Sequence, residues 1–419
     1  MRILQVVVRF FPYVGGVENT VYHLARRFKA RGHDVRVVCA DEPVGSPAEI
    51  EGIPVVRLPW RFKVGNTNLA FGLWEALRAE KPDVIHAHLP TAFFIDMAAA
   101  ASEASGIPMV LTYNNDLVGD GIKGMLAGLY NRHRLPKVFA ASDRIVITNP
   151  LYPSQSPFLD PADPKLVYIP WGVDEERFQP RPEPSGPMTV GFLSLLDEHH
   201  RYKGLEVLLK ALAELPEVRL RVGGSGRELD WYRDRAKALG DRVEFLGFVE
   251  DLNAFYAGCH VFALPSTDGR REGFGLVLLE AMACGRPVIT TPIVGIASDI
   301  EPRGVGVLVP PDDPAALAAA LRGFLETVPP NVETPRGASP RRGEQFRLPR
   351  SAPRGAWKGG ADVAAPETPH GASLHWGGRP TDLPAMGRRA RQLVEERYTW
   401  DRVTDSYEQL FESLVRENP

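Results

Sequence analysis

Short apolar runs alternate with amphipathic segments along most of this chain. The runs "RILQVVV", "DVRVVCA" and "PMVLTY" have the length of strands, and stretches such as "GGVENTVYHLARRFKARGH" carry apolar residues at helical spacing. Strands that are apolar on both faces are typical of a parallel sheet covered by helices. The pattern therefore predicts right-handed βαβ units and an α/β fold.

The alternation breaks once and then restarts. The segment "IPWGVDEERFQPRPEPSG" contains four prolines and two glycines, a composition typical of an interdomain linker. Strand-length runs from "MTVGFLSL" to "PVITT" follow it, again with helical stretches between them. We predict an N-terminal Rossmann-like domain over residues 1–182, a C-terminal one over 183–395, and a last helix over 396–419 that packs back on the N-terminal domain.

One stretch does not fit either domain. From Pro329 to Pro384, 18 of 56 residues are Pro or Gly, and there is little apolar periodicity. Such a composition cannot bury enough apolar surface to offset the entropy lost when a chain folds. We expect either a disordered insertion or a locally frameshifted segment of a GC-rich gene, and the sequence leaves both explanations open.

Composition narrows the class of protein. With 419 residues and 44% hydrophobic residues, the chain can bury a large core, and its net charge of −3 argues against a nucleic-acid binder. Three distant cysteines without a Cys-x-x-Cys pair favour a reducing compartment and provide no zinc site. Arg9 interrupts the first apolar run, which favours a strand over a signal peptide. We expect a cytoplasmic protein, either free or peripheral at the inner membrane face.

Glycines and basic residues occur where a phosphate group could bind. Gly15 and Gly16 lie between the first strand and the first helix, where the backbone approaches ligands closely and free N–H groups favour anions. Arg201 and Lys203 precede a later helix, where a lysine could make a charge-assisted contact with a diphosphate. Taken singly, each feature is explained as well by a tight turn or a solvated basic loop.

The stretch "REGFGLVLLEAMACGRPVIT" contains two glutamates, Glu272 and Glu280. Two glycines predict a helix that begins near Leu276, which places Glu280 about one turn, ~6 Å, inside an otherwise apolar helix. Glu272 lies in the preceding loop, next to N–H groups that face an anion. The acid/base pair of a glycoside hydrolase flanks the scissile bond at ~5–9.5 Å, an arrangement that this placement does not favour.

Together these motifs resemble the retaining glycosyltransferases of family 4. The most specific element is Glu-x7-Glu, and "GGVE", "YKG", "FLGFVEDL", "GVDEERFQP" and "ERYTWDRV" support it over most of the chain before about Thr327. The resemblance implies the GT-B fold, in which two facing Rossmann-like domains with parallel sheets enclose a catalytic crevice. It also implies that a sugar moves from a UDP-, GDP- or ADP-sugar to a lipid, saccharide or other small acceptor, with retention of anomeric configuration.

The resemblance assigns roles on the donor side. Glu280 would bind the ribose hydroxyls, Glu272 would lie beside the transferred sugar, and Lys203 would neutralise the diphosphate. Because helix N–H groups and a lysine can stabilise a leaving diphosphate, we expect neither a cofactor nor a metal. The other donor contacts that it implies are Gly15, Gly16, Arg201, Phe248, Val249, Phe274, Gly275 and Leu276.

The sequence departs from the family pattern at two functional positions. Asp197 stands where many relatives have Arg, so His200 or Arg201 would have to supply a second positive contact. Asn114 stands where a His is frequent, and an amide can hydrogen-bond a hydroxyl but cannot act as a general base at neutral pH. His88 is a further candidate on the acceptor side, or else a packed histidine at a strand end. Asn114 and the Pro- and Gly-rich stretch leave a non-catalytic nucleotide-binding GT-B protein as an alternative, and a UDP-sugar epimerase, which shares the fold, is another.

The segment "IKGMLAGLYNRHRLPKVF" bears on the acceptor. It is partly apolar and carries Lys123, Arg132, Arg134 and Lys137. This pattern predicts either an interfacial helix that lies on anionic lipid or an ordinary packing helix with a basic solvent face.

Overall fold

The computed structural model describes residues 1–13, 15–64, 67–117, 121–269, 271–327 and 382–417. These residues form two α/β domains, as the alternating pattern predicts. Residues 328–381, which include most of the Pro- and Gly-rich stretch, lie outside the described ranges. Both explanations for that stretch therefore stay predictions.

The N-terminal domain contains an eight-stranded sheet with the strand order β10-β9-β8-β7-β1-β2-β4-β3, parallel except for the short β3–β4 pair. Its strands are β1 (Arg2–Val6), β2 (Asp34–Ala40), β3 (Glu49–Ile50), β4 (Ile53–Leu58), β7 (Val84–His88), β8 (Met109–Tyr113), β9 (Arg144–Ile147) and β10 (Leu166–Tyr168), and β5 (Trp60–Val64) and β6 (Thr67–Ala70) form a separate pair. Its helices are α1 (Gly16–Ala30), α2 (Leu73–Glu80), α3 (Ala92–Ser105), α4 (Gly121–His133), α5 (Leu135–Ala141) and α6 (Tyr152–Gln155).

The C-terminal domain contains a six-stranded parallel sheet with the order β13-β12-β11-β14-β15-β16. Its strands are β11 (Thr189–Leu193), β12 (Arg219–Gly223), β13 (Val243–Gly247), β14 (Val261–Leu264), β15 (Val288–Thr290) and β16 (Gly306–Leu308). Its helices are α7 (Leu205–Leu212), α8 (Leu229–Ala236), α9 (Leu252–Ala257), α10 (Leu276–Ala283), α11 (Ala297–Ile300), α12 (Pro314–Leu325) and α13 (Leu383–Leu393), with 3-10 turns at Glu198–Lys203 and Lys237–Arg242.

Two local predictions from the pattern are wrong. The spacing of apolar residues in "LAFGLWEALRAEKP" predicts a helix over the whole stretch, but α2 begins only at Leu73, because the residues before it pair as the antiparallel strands β5 and β6. The composition predicts a lack of structure through Pro384, but Leu383 and Pro384 belong to α13. The Asp382 side chain accepts a hydrogen bond from the Ala385 N–H, and proline is tolerated in a first helical turn.

The chain crosses between the domains at two adjacent places. The Val173 N–H donates to the carbonyl of Tyr398 at 2.8 Å, and Val173 and Thr399 form a parallel bridge. At the second crossing, a π-helical turn (Val394–Tyr398) leads from α13 to α14 (Trp400–Glu417). Helix α14 packs on the N-terminal domain, where the rings of Phe411 and Phe28 lie 5.5 Å apart.

The proline-rich linker belongs physically to the C-terminal domain. The buried guanidinium of Arg286 donates to the carbonyls of Arg181 and Pro182 at 2.8 and 2.9 Å. Arg391 donates to the carbonyl of Phe178 at 2.7 Å. The change of domain therefore occurs near Val173, about nine residues before the boundary at residue 182 that the prolines suggest.

Candidate functional site

The carboxyl ends of both sheets face each other across a crevice. Asn114 and Asn149 follow β8 and β9, and the loop between β14 and α10 approaches them from the other domain. The Asn149 side-chain amide donates to the Gly273 carbonyl at 2.8 Å, and the Tyr152 hydroxyl donates to the Asn114 carbonyl. Ligands of open α/β sheets bind at the carboxyl ends of the strands, so this crevice is the candidate site.

An ion pair with an added hydroxyl lies at the centre of the loop. Lys203 Nζ contacts both Glu272 carboxylate oxygens at 2.8 Å, and Ser266 Oγ donates to one of them at 2.6 Å. Glu272 is only 2% exposed. Burial lowers the pKa of Lys203, but the Glu272 carboxylate outweighs this and the pKa is raised overall. Lys203 is therefore cationic at neutral pH and is fixed at the mouth of the crevice.

A glycine allows this pair to form. Gly204 has φ +85°, and a Cβ there would collide with the carbonyl oxygen of Pro265. The 3-10 turn that ends at Lys203 therefore lies directly against the end of β14. Only a residue without a side chain permits this approach at a positive φ.

Helix α10 begins at Leu276, which confirms the predicted start, and Gly275 caps it with φ +84°. The Leu278 N–H already donates to the Gly275 carbonyl at 2.8 Å, whereas the N–H groups before it have no partner within the helix and are free to meet an anion. Partly buried Glu280 accepts a hydrogen bond from the Tyr256 hydroxyl at 2.7 Å. Burial raises the pKa of Glu280 to about 7, although the Tyr256 hydroxyl and Arg177 lower it. The two glutamates therefore have separate partners.

Phe248 and Val249 follow β13 at the same edge of the C-terminal sheet. Phe248 is 77% exposed, whereas Val249 packs against the domain core. An exposed aromatic ring at the carboxyl end of a strand offers a flat surface on which a planar base can stack.

The glycines of the N-terminal domain open α1. Gly16 is its first residue, and a Cβ there would lie 3.4 Å from the Trp171 ring. The Glu18 carboxylate in the first turn pairs with buried Arg9 at 3.3 Å and lies against Gly15. Because a carboxylate already lies near this helix start, part of its positive dipole is compensated within the chain.

The structure gives other partners to the residues proposed as a second positive contact. Arg201 donates to Glu228 and lies over the Trp231 ring at 4.3 Å, and it is exposed. His200 Nδ1 lies 2.7 Å from the carboxylate of Asp197, which also caps the 3-10 turn. Because Arg201 and His200 are already bound to Glu228 and Asp197, a phosphate contact from either side chain requires a rearrangement. Of the three basic residues, only Lys203 contacts the Glu272 carboxylate.

On the acceptor side, the structure distinguishes His88 from Asn114. His88 is fully buried and bonds Gln5 Oε1 at 3.1 Å, and burial lowers its pKa to about 3, which favours the packed histidine. The Asn114 amide donates to the Leu89 carbonyl at 2.7 Å, while its buried Oδ1 has no hydrogen-bond partner among the described residues. Asn114 can therefore still accept a hydrogen bond from a hydroxyl.

The sequence interpretation missed four residues of the site: Ser266, Tyr256, Asn149 and Tyr152. Ser266 and Asn149 each follow a strand at its carboxyl end, and this positional signal was available. Tyr256 and Tyr152 lie on helices without a distinguishing local pattern, and only the folded chain brings them to the glutamates. Burial, together with the Glu272 carboxylate, raises the pKa of Tyr152.

Helix α4 leaves an apolar stripe uncovered beside the acceptor side. Tyr130 donates to the Ala92 carbonyl and Asn131 to the Leu117 carbonyl, so α4 is fixed near the carboxyl ends of β7 and β8. Its apolar side chains at positions 122, 125, 126 and 129 are 47–75% exposed. None of the helices in the described ranges is long and apolar enough to span a bilayer.

Two family descriptions match this chain. Glycosyltransferase Family 4 matches residues 14–177, and Glycosyl transferases group 1 matches residues 187–327. A phosphatidyl-myo-inositol mannosyltransferase of Mycolicibacterium smegmatis is 31% identical over 344 residues, which cover 78% of this chain and 85% of that protein. D-rhamnosyltransferase WbpZ of Pseudomonas aeruginosa is 30% identical over 363 residues, which cover 83% of this chain and 92% of that protein.

Solved structures share the two-domain arrangement. Anabaena Alr3699/HepE in complex with UDP superposes with a TM-score of 0.67 at 20% identity and covers 99% of this chain and 100% of its own. Sucrose-phosphate synthase from Thermosynechococcus elongatus gives a TM-score of 0.67 at 21% identity and covers 99% of each chain. These likenesses confirm the predicted fold.

Proposed function

Because this chain belongs to glycosyltransferase family 4 and has the GT-B fold, we propose that it transfers a sugar from a nucleoside-diphosphate sugar, with retention, to an acceptor at a membrane surface. The observation that carries the donor half is the Lys203–Glu272–Ser266 cluster beside the start of α10. It combines one fixed cation with free helix N–H groups, which suits a diphosphate. The solved relative Alr3699/HepE binds UDP and UDP-glucose, which supports a donor of this class.

The proposed chemistry needs charge stabilisation. The acceptor oxygen forms a bond to the anomeric carbon as the bond from that carbon to the diphosphate breaks, and the departing diphosphate takes the acceptor proton on the same face of the sugar. Negative charge grows on the diphosphate, where Lys203 and the N–H groups of α10 would stabilise it. Asn114 would orient the acceptor hydroxyl through its free Oδ1 and would not act as a base.

The donor is identified by a thermal-shift screen of UDP-, GDP- and ADP-sugars, each with and without EDTA. The preferred donor is expected to raise the melting temperature most, since a ligand stabilises the fold by RT ln(1 + [L]/Kd). We expect EDTA to leave the shift unchanged, because the proposed site uses a lysine and helix N–H groups. Product analysis of that donor with lipid and saccharide acceptors then tests transfer. A protein that binds nucleotide but catalyses neither transfer nor donor hydrolysis would contradict the proposal.

For the acceptor half, we propose that α4 lies on an anionic membrane. Its exposed apolar stripe would enter the headgroup region, and exposed Lys123, Arg132 and Lys137 on α4 and α5 would face anionic lipid. Arg134, although exposed, already pairs with Asp96 at 3.0 Å. The mannosyltransferase relative acts, by its name, on phosphatidyl-myo-inositol, a membrane lipid, which supports an acceptor of this kind.

Replacing two of these cations should weaken membrane binding. Each lysine near an anionic surface contributes about 1 kcal/mol, so Lys123→Gln with Lys137→Gln should lower the affinity for vesicles of phosphatidylcholine and phosphatidylglycerol roughly thirtyfold. Sedimentation at low and high salt measures this. The matched control is Lys210→Gln with Lys237→Gln, which removes two exposed lysines of the C-terminal domain. Equal losses in both variants, or binding insensitive to salt, would refute the α4 surface.

A further inference from the structure

Asn149 connects the two domains at the loop that carries Glu272. Its side chain is fully buried, and its two polar atoms have different partners. Oδ1 accepts from the Leu151 N–H at 2.8 Å within the N-terminal domain, and Nδ2 donates to the Gly273 carbonyl at 2.8 Å across the crevice. Exchanging the amide's oxygen and nitrogen would place two donors against each other at Leu151, so these partners fix the orientation of the side chain.

The cross-crevice bond orients a functional peptide unit. The Gly273–Phe274 peptide is planar, so its carbonyl and its N–H point in opposite directions. When the carbonyl points to Asn149, the Phe274 N–H points away from it. Glu272, one residue earlier, is held on the other side by Lys203 and Ser266. The loop is therefore fixed from both domains at adjacent residues.

Close packing supports the same contact. A Cβ on Gly273 would lie 3.5 Å from the Tyr152 hydroxyl, and one on Gly269 would lie 3.0 Å from Gln155 Nε2. A Cβ on Gly295 would lie 2.9 Å from Asn149 Cγ. Glycines on the C-terminal side thus let its loops approach α6 and Asn149 closely.

We propose that Asn149 is a positioning residue that fixes the loop residues from Glu272 to Gly275, ahead of α10, in the orientation that the donor needs. This inference rests on the proposed donor site, because it assigns Asn149 the task of aligning that loop with the diphosphate. Asn149 acts through the Gly273 carbonyl and not on the substrate itself. Without this bond, the Gly273–Phe274 peptide is free to turn.

Two variants separate the cross-crevice bond from the local fold. Asn149→Asp keeps an acceptor for the Leu151 N–H but cannot donate to Gly273, and Asn149→Ser keeps an acceptor that is too short to reach across. The control is Asn253→Asp, because the Asn253 side chain has the same pair of backbone partners, donating to the Arg177 carbonyl and accepting from the Gln179 N–H, without contacting the loop that carries Glu272. Hydrogen exchange of backbone amides 271–276 is followed with and without UDP, and the donor kcat and KM are measured.

We expect exchange of these amides to rise about tenfold in both Asn149 variants and not in Asn253→Asp, since one hydrogen bond is lost. Donor kcat/KM should fall by a similar factor, with the acceptor KM unchanged. Wild-type exchange rates in both variants would overturn the proposal. An increase in exchange that spreads over β9 and α6 would also overturn it, because it would show that Asn149 serves only the local fold. If the wild type transfers no sugar, the proposed function fails, whereas the exchange experiment still decides the role of Asn149.

Discussion

Lys203→Met is expected to lower donor kcat/KM on the order of 10³-fold and also to destabilise the fold. The activity loss follows from the proposed role of Lys203 as the cation that meets the leaving diphosphate, since a single such contact typically contributes 10²–10³ in rate. The stability loss follows because Glu272, 2% exposed, would stay buried without its counter-ion. Breaking a buried pair in this way costs about 3 kcal/mol. Steady-state kinetics and urea unfolding measure the two effects.

The double variant Lys203→Met with Glu272→Gln separates the effect on activity from the effect on stability. A neutral glutamine needs no counter-ion and can still accept from Ser266, so most of the lost stability should return while activity stays low. Lys210→Met, at an exposed position of α7, is the matched control and should change neither quantity by much. Full activity in the double variant would show that Lys203 does not meet the diphosphate.

Glu280→Ala is expected to weaken binding of the donor and of its free nucleotide about 100-fold. In the proposed site two ribose hydroxyls donate to the Glu280 carboxylate, and each such bond contributes about 1.5 kcal/mol, the lower end of the range for charged partners. Calorimetry with the nucleoside diphosphate chosen by the screen measures this. Glu217→Gln, at an exposed position of the same domain, is the control. An Ala variant with wild-type nucleotide affinity would show that the ribose assignment is wrong.

The same glutamate predicts a pH dependence. Its pKa in the folded protein is about 7, raised from 4.5 by burial. The anion, which is the stronger acceptor, therefore forms only as the pH rises through about 7, and nucleotide affinity should increase between pH 6 and 8. In Glu280→Gln this rise should be absent. The free energy of unfolding should change with pH in the opposite direction. Because the carboxyl pKa is raised, the folded state binds more protons than the unfolded state between about pH 4.5 and 7. Stability therefore falls as the pH rises across that window.

The start of α10 and the place of Glu280 within it could be predicted because their signals are local. Gly273 and Gly275 bound the start of α10, and the apolar run after Leu276 leaves Glu280 as the one charge in that helix. Local patterns determine such features through backbone conformation and helical spacing. The strands and helices of both sheets were predictable for the same reason.

The remaining features depend on contacts between distant parts of the chain. Lys203 and Glu272 are 69 positions apart, and Asn149 and Gly273 are 124 apart, so no local pattern indicates either pair. Arg201 shows the same dependence. Its place two residues before Lys203 predicts a phosphate contact, and the fold also brings Glu228 to it, a partner that the sequence does not indicate. A charge finds its partner through the tertiary structure, which a single sequence does not display.

The last helix of the chain is part of the first domain, and this has a consequence during translation. Trp400, Tyr407 and Phe411 of α14 complete the apolar cluster that contains Phe28 and Val21 of α1. Domains of a nascent chain generally fold as their residues leave the ribosome. Here the N-terminal domain lacks one wall of its core until α14 has been synthesised. Its α1 face stays exposed throughout synthesis of the second domain, so the first domain completes its native core only after the second has been made.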